Sequence, residues 1–247
     1  MNFAGALAKL KKLLLILGNA RYLKALRIGT AAGVEHARVL RNMPSSTVVD
    51  VGANRGQFAL VARHCFSQAH IISFEPLSGP GATFRRVFAD DKRVELFASA
   101  IGPAKGSATI HVSQRDDSSS LLPIGKEQDR LFPGTAEART ETIAIGRLSD
   151  FVSADRIVAP ALLKLDVQGF ELSALQGCED LLARFEWLYV ECSFAELYVG
   201  QALADDVIAW VHARGFALCG VYNMSYDGSG KAIQADFLFR AVTVGRS

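Results

Sequence analysis

Cysteine is scarce in this chain, with four in 247 residues (Cys65, Cys178, Cys192 and Cys219), and no two stand in a C-x-x-C pair. That excludes a disulfide framework and implies reduced thiols of the cytosolic kind. The five histidines are scattered, so no zinc site is legible. Long apolar runs are also missing. The longest near the N-terminus is Leu13–Leu17, too short for a spanning helix of about 20 residues or for the roughly 7–15-residue apolar region of a signal peptide. The 21 glycines follow no period, which excludes a collagen-like chain. Several nucleotide motifs are absent: G-x-G-x-x-G, the phosphate-binding G-x-x-x-x-G-K-[ST], and Tyr-x-x-x-Lys. A classical dinucleotide site, a nucleoside triphosphatase and a short-chain dehydrogenase are therefore disfavoured.

What is present is a half-apolar chain, 50% hydrophobic and 21% charged, which rules out disorder. Its net charge of +2 hides an asymmetry. Residues 1–43 hold eight Lys and Arg against one acid, Glu35, for a net +7, whereas the remainder is net −5. The expectation is a basic helical N-terminal extension over 1–43 and one domain over 44–247, with a β/loop insertion at about 102–158. Leu7, Leu10, Leu14 and Leu17, with Lys9, Lys11 and Lys12 between them, form an amphipathic basic pattern. Two readings stay open for it: a Leu stripe packed on the body, or peripheral contact of residues 1–27 with an anionic membrane surface.

From Ser46 onward strand-like and helix-like stretches alternate. Thr47–Val51, His70–Phe74, Val94–Ala100, Leu162–Asp166 and Trp187–Glu191 read as strands. Gln57–Phe66, Pro80–Phe88, Glu171–Ala183 and Ala202–Arg214 read as helices. Such alternation with nearly continuous apolar strands predicts an α/β, doubly wound, mainly parallel sheet covered on both faces. Between Ser107–Val112 and Glu141–Ile145 the rhythm breaks at a long polar stretch, expected to be functional. Phe216–Tyr222 and Ala235–Val242 predict an antiparallel pair at one edge.

The strongest local signal is Val49–Phe58, V-D-V-G-A-N-R-G-Q-F. A strand ends at Asp50, a Gly-rich turn follows, and a helix begins. Gly52 and Gly56 let backbone approach a ligand, with Ala53 and Asn54 between them. Glu75, at the end of the next strand, suits the two hydroxyls of a ribose. The glycine spacing is wrong for a dinucleotide, and Asp50 is wrong for a phosphate but suits a cation. S-adenosylmethionine is the best fit, with Ser99 placed to meet its adenine or ribose.

D-V-G-A-N-R-G-Q-F, Phe74–Pro76 (F-E-P), Leu163–Glu171 (L-K-L-D-V-Q-G-F-E) and Gln234–Phe239 (Q-A-D-F-L-F), in that order, resemble the signature of FkbM-type methyltransferases. The resemblance runs from about Thr47 to Ala241 and leaves residues 1–40 unaccounted for. It implies a class I, Rossmann-like, S-adenosylmethionine-dependent methyltransferase with a seven-stranded sheet and an antiparallel terminal strand, usually acting on a hydroxyl oxygen.

Methyl transfer needs alignment and removal of a hydroxyl proton, so carboxylates at strand ends are the candidates. Asp166 is expected to orient or deprotonate the acceptor, with Glu191 behind it. Glu171, Asp117 and Ser119 are expected to line the acceptor site. Clustered carboxylates leave Mg2+ open. The expected partner is a small-molecule or glycan acceptor and not a nucleic acid, because the body is acidic. The expected reaction is O-methylation of a sugar, glycan or glycolipid in the cytoplasm, with membrane association open. A small hydroxylated natural product, or a non-catalytic cofactor-binding module, are the alternatives.

Overall fold

The computed structural model describes residues 13–242. Strand β1 (Thr47–Val51) is the run TVVDV, and all five residues are buried. Such a strand belongs in the middle of a sheet. It pairs in parallel with β2 (His70–Phe74) on one side and β7 (Ala161–Leu165) on the other. Beyond β2 lies β3 (Val94–Phe97), and beyond β7 lies β8 (Trp187–Ser193), both parallel. The chain ends in a hairpin of β9 (Phe216–Tyr226) and β10 (Ala232–Ala241). β10 is antiparallel to both β8 and β9, so the sheet order is β3-β2-β1-β7-β8-β10-β9. The terminal strand is thus the reversed one, set one place in from the edge.

Alternation along the strands sends apolar side chains to both faces. Val49, Val51, Leu163 and Leu165 join one core with residues of α6 (Glu171–Gly177) and α7 (Ala204–His212). Val48, Ile71, Leu162 and Tyr189 join the other with α3 (Gln57–Cys65) and the N-terminal segment. Helix α4 (Ser78–Val87) links β2 to β3 and buries Phe84 in this second core. Burying each such side chain is worth about 1.5–3 kcal/mol.

The N-terminal segment is part of this second core. Helix α1 (Ala20–Arg27) is capped by Asn19, whose side-chain oxygen accepts from the backbone N–H of Arg21 and Tyr22. Tyr22, Ala25, Val39, Leu40 and Met43 are buried, Val39 and Leu40 on α2 (Ala37–Leu40). Arg21 and Lys24 reach Asp91 and Asp90 at 3.1 and 2.9 Å. Of the expected leucine stripe, Leu7 and Leu10 lie outside the described residues. Leu14 and Leu17 are exposed, and the residue that packs inward is Ile16.

Three expectations on elements change. β3 stops at Phe97 rather than Ala100, because the chain bends at Ser99. Ala100–Ile101 (β4) then pairs with the insertion. That insertion is a second sheet of order β4-β6-β5, built on a long antiparallel ladder of β5 (Gly106–Ser113) and β6 (Glu137–Gly146). The first half of β6 is exposed and polar, which hides it from hydrophobic patterning. The stretch read as a loop carries helix α5 (Lys126–Leu131). It is tied down by Asp129, whose Oδ1 accepts from the N–H groups of Gly134, Thr135 and Ala136 at 3.0–3.1 Å. Finally, the helix expected over Glu171–Ala183 is two pieces, α6 and a tighter 3-10 turn over Glu179–Arg184.

Candidate active site

The ends of β1, β2 and β7 meet at the Gly-rich turn. Gly52 has φ +80°, and a Cβ there would overlap the carbonyl oxygen of Asp166. Only glycine lets β1 and β7 close on each other at this point. Gly56, φ +91°, starts α3 beneath Phe84 and Phe88, and a Cβ would lie 2.6 Å from Phe88 Cε2. Gly56 therefore shapes the turn from below and does not face the cleft.

Glu75 follows β2 and is buried against this turn. Its Oε2 accepts from the Asn54 N–H at 2.9 Å and its Oε1 from the Leu77 N–H at 2.8 Å. Burial pushes its carboxyl up to about 7, against the pull of those two N–H groups. Each oxygen has taken one donor, so each keeps a lone pair for a ligand hydroxyl.

Asp50 is not where the sequence reading put it. It is fully buried, and its partner is Lys164 from the next strand, with Nζ 3.2 Å from Oδ1. The contact is ionic without being an aligned hydrogen bond, and both carboxylate oxygens otherwise lack partners. Burial raises the Asp50 carboxyl, and Lys164 draws it back. Burial likewise opposes the Lys164 charge, but Asp50 and Asp166 outweigh it and push the ammonium upward. Lys164 Nζ also donates to the Gly52 carbonyl at 3.3 Å and lies 3.6 Å from Asp166 Oδ2. Asp50 thus acts on the site through Lys164.

Asp166 follows β7 and faces the cleft. Gln168 holds it in place. With φ +56°, Gln168 turns its amide back so that Nε2 donates to Asp166 Oδ1 at 2.7 Å and to Glu191 Oε2 at 3.0 Å. Its Oε1 accepts from the Tyr198 hydroxyl at 2.8 Å. Glu191 is half-buried behind this amide and also accepts from Gln234 Nε2 at 2.9 Å. Glu171 is buried. Its Oε1 accepts from the N–H groups of Val167 and Gly169 at 2.9 and 3.2 Å, and burial pushes it up to about 7. Neither Glu191 nor Glu171 lines the cleft, which corrects the expected place of Glu171 at the acceptor site and removes Glu191 from direct contact with the reacting atoms. Both instead brace the turn that carries Asp166.

The cleft measures about 560 Å³. Gly52, Ala53, Asn54, Glu75 and Asp166 line its floor. Ser99 lines it as well, but its hydroxyl is directed at the carbonyls of Ala100 and Ala144 at 3.1 and 3.2 Å. Its proton is thereby held by the insertion sheet. Asp117 and Ser119, from the insertion, line the cleft too. Asp117 pairs with Arg115 at 3.3 Å, and Ser119 accepts from the Ser113 N–H at 3.1 Å.

Several site residues escaped the sequence reading. Asp116, next to the expected Asp117, grips Arg55 of the Gly-rich turn through two bonds of 2.6 and 2.5 Å. This bidentate pair latches the insertion across the cofactor turn. Gln168 and Lys164 lie inside the quoted L-K-L-D-V-Q-G block, and a lone lysine in an apolar strand was the available signal. His36 had none. It comes from the N-terminal extension, which folds under α3 through the Gly33 N–H to the Gln57 carbonyl at 3.0 Å. Its Nδ1 lies 3.1 Å from the Tyr189 hydroxyl and 3.5 Å from Asp236 Oδ2.

The residues present fit S-adenosylmethionine. Two buried acceptors lining the cleft, Gln57 Oε1 and Gln128 Oε1, have no hydrogen-bond partner. Such groups are costly unless a ligand supplies donors, and this cofactor brings an ammonium, an amine and two ribose hydroxyls. A divalent cation fits less well. Asp166 and Glu191 are bridged by the Gln168 amide, and among the described residues no three His, Cys, Asp or Glu side chains are arranged to hold a metal.

Comparison with known proteins agrees with this geometry. A family model described as "Methyltransferase FkbM domain" matches residues 50–218. The 2-O-methyltransferase NoeI of Sinorhizobium fredii is 27% identical over 168 residues, covering 66% of this chain and 69% of that protein. The 31-O-demethyl-FK506 methyltransferase FkbM of Streptomyces tacrolimicus is 27% identical over 210 residues, covering 75% of this chain and 78% of that protein. Among solved structures, a Clostridium thermocellum protein described as an rRNA methylase superposes with TM-score 0.51 at 8% identity. It covers 85% of this chain and 94% of that one, a likeness of fold alone. The chain belongs to the FkbM methyltransferase domain family and is an S-adenosylmethionine-dependent methyltransferase.

Proposed function

We propose that the protein methylates a hydroxyl oxygen of a sugar, carried on a glycan or glycolipid. The observation that carries this reading is the part of the cleft lining that the insertion supplies. It presents Arg115, Asp117 and Ser119, hydrogen-bonding groups suited to a polyol. The O-methyltransferase names of the two relatives support oxygen as the acceptor atom.

When bound, the cofactor supplies a methyl group on a sulfonium. Glu75 accepts from its ribose hydroxyls, and the backbone of Gly52, Ala53 and Asn54 forms the bed for the rest of the molecule. Gln168 and Lys164 fix Asp166 as an oriented carboxylate that holds the acceptor hydroxyl in line. Holding reactants in line removes about 7–11 kcal/mol of the barrier. Asp50 and Glu191 serve as positioning residues, through Lys164 and Gln168 respectively.

Residues 44–247 form the methyltransferase unit in this reading, preceded by an extension over 1–43 whose described part packs against it. The enzyme works in the cytoplasm. Among the described residues no helix is long and apolar enough to cross a membrane. Leu13, Leu14, Leu15 and Leu17 are 45–61% exposed within a basic segment, which supports peripheral contact of residues 1–27 with an anionic membrane.

The test is transfer of tritium from methyl-labelled cofactor into glycolipid and polysaccharide extracts, with a macrolide panel alongside. Label in carbohydrate is expected. Label in the macrolides alone would replace the sugar with a small natural product, and label in neither would end the reading. Co-sedimentation with vesicles containing phosphatidylglycerol tests the membrane contact, and no binding at low salt refutes it.

A further inference from the structure

We propose that His36 is the general base that removes the proton of the acceptor hydroxyl, and that Tyr189 and Asp236 set it up for this. The proposal rests on the O-methyl transfer argued above.

The argument is one of proton counting. Asp236 is buried, and its Oδ2 accepts from the Tyr189 hydroxyl at 2.9 Å and from Asn223 Nδ2 at 2.7 Å. A phenol has a single proton, and here it points at the carboxylate. The Tyr189 oxygen can then only accept from His36 Nδ1, 3.1 Å away. The second Asn223 proton also faces the Tyr189 oxygen, at 3.2 Å, and Asn223 Nδ2 is 3.4 Å from His36 Nδ1. The shorter contacts place the imidazole proton on Nδ1. The lone pair then lies on Nε2, which makes no hydrogen bond among the described residues, on a ring that lines the cleft.

The surroundings suit a ring that must gain a charge. Asp236 lies 3.5 Å from Nδ1, and Asp50 on β1 is within electrostatic reach. Phe58 on α3 and Tyr189 on β8 pack edge-on against the imidazole and fix its plane. Fixing both tautomer and plane through a buried acid is the general device for orienting a histidine base.

In the step itself, His36 Nε2 takes the hydroxyl proton as the acceptor oxygen forms the new C–O bond. The C–S bond breaks with its electron pair passing to sulfur. The products are the methyl ether, a neutral thioether and an imidazolium, which Asp236 stabilises until its proton passes to water. This gives a site role to Asp236 of the Q-A-D-F-L-F block and to a residue of the N-terminal extension.

Two measurements on the full chain decide the matter. Long-range nitrogen–proton correlation spectra of the neutral rings report the tautomer, with His36 identified by its loss in His36→Gln. The proposal expects the proton on Nδ1 in the wild type and a return toward Nε2 in Tyr189→Phe, which keeps the buried shape. A wild-type proton on Nε2 overturns it. The second measurement is tritium transfer into the glycolipid extract. His36→Gln should lose about 10²–10⁴-fold in turnover, with cofactor affinity by calorimetry within about threefold. Retained turnover also overturns the proposal. Absence of transfer by the wild-type protein would sink the sugar reading, while the tautomer measurement would still judge the base.

Discussion

Replacing Lys164 with methionine isolates the energetic centre of the site. Lys164 and Asp50 are both buried, and Lys164 is the only Lys or Arg paired with Asp50 among the described residues. The methionine side chain would fill similar volume but leave Asp50 as an uncompensated buried charge. Breaking a buried pair in this way costs about 3–5 kcal/mol. Loss of the bond to the Gly52 carbonyl adds about 1 kcal/mol. With a urea dependence of about 2–3 kcal/mol per molar, the combined loss of about 4–6 kcal/mol should lower the unfolding midpoint by roughly 1.3–3 M. The double variant Asp50→Asn/Lys164→Met removes both charges, and most of the loss should return. Asp166, being partly exposed, can hydrate without its lysine. The deficit of the single variant also has a sign in pH. Asp50 without its cation has a folded-state pKa above its unfolded one, so the penalty grows as pH rises and fades as the carboxyl protonates. Urea titrations at several pH values provide the assay. A single variant within about 1 kcal/mol of wild type, or a double variant no better than the single, would refute the reasoning.

Glu75→Gln removes the carboxylate proposed to take the ribose hydroxyls. Each charged hydrogen bond is worth about 1.5–3 kcal/mol, so calorimetry should record a roughly 10–150-fold weaker cofactor affinity. Glu171 and Glu75 both sit at about 7 when folded, against an ordinary carboxyl value of 4.5. The folded chain therefore binds more protons in that window, and its stability falls as pH rises from about 4.5 to about 7. Glu171→Gln should flatten part of that fall in thermal melts across the range. Gly52→Ala meets both a left-handed backbone, costing about 1–2 kcal/mol, and overlap with the Asp166 carbonyl. It should lower the melting temperature and abolish cofactor binding in the same sample, and unchanged binding would contradict the close approach of β1 and β7.

Much of the sheet was legible because its signals are local. TVVDV and HIISF are short, mainly apolar and β-branched runs, and the strands run over the residues expected of them. The Gly-rich turn was legible for the same reason, since φ +80° at Gly52 restricts one residue type at one place. The polar half of β6 and the helix α5 were not, because strands and helices exposed on most sides lose their period. Lys164 shows the intermediate case. Its presence in ALLKL announced a buried charge but not the carboxylate that answers it.

Which carboxylates reach the cleft was a matter of tertiary structure. By sequence Asp50, Asp166, Glu171 and Glu191 are alike, each at or near a strand end. In the fold, strand register turns Asp50 inward to Lys164, and the reversed turn at Gln168 puts its amide between Asp166 and Glu191. Glu171 is consumed by the backbone of the same turn. The sequence by itself determined the central parallel strands, the Gly-rich turn after β1 and the acid that follows β2, because each is encoded within a few neighbouring residues. Only the tertiary structure brought His36 to Tyr189 and Asp236, because a contact spanning 153 residues has no local pattern and depends on how the N-terminal segment packs beneath the sheet.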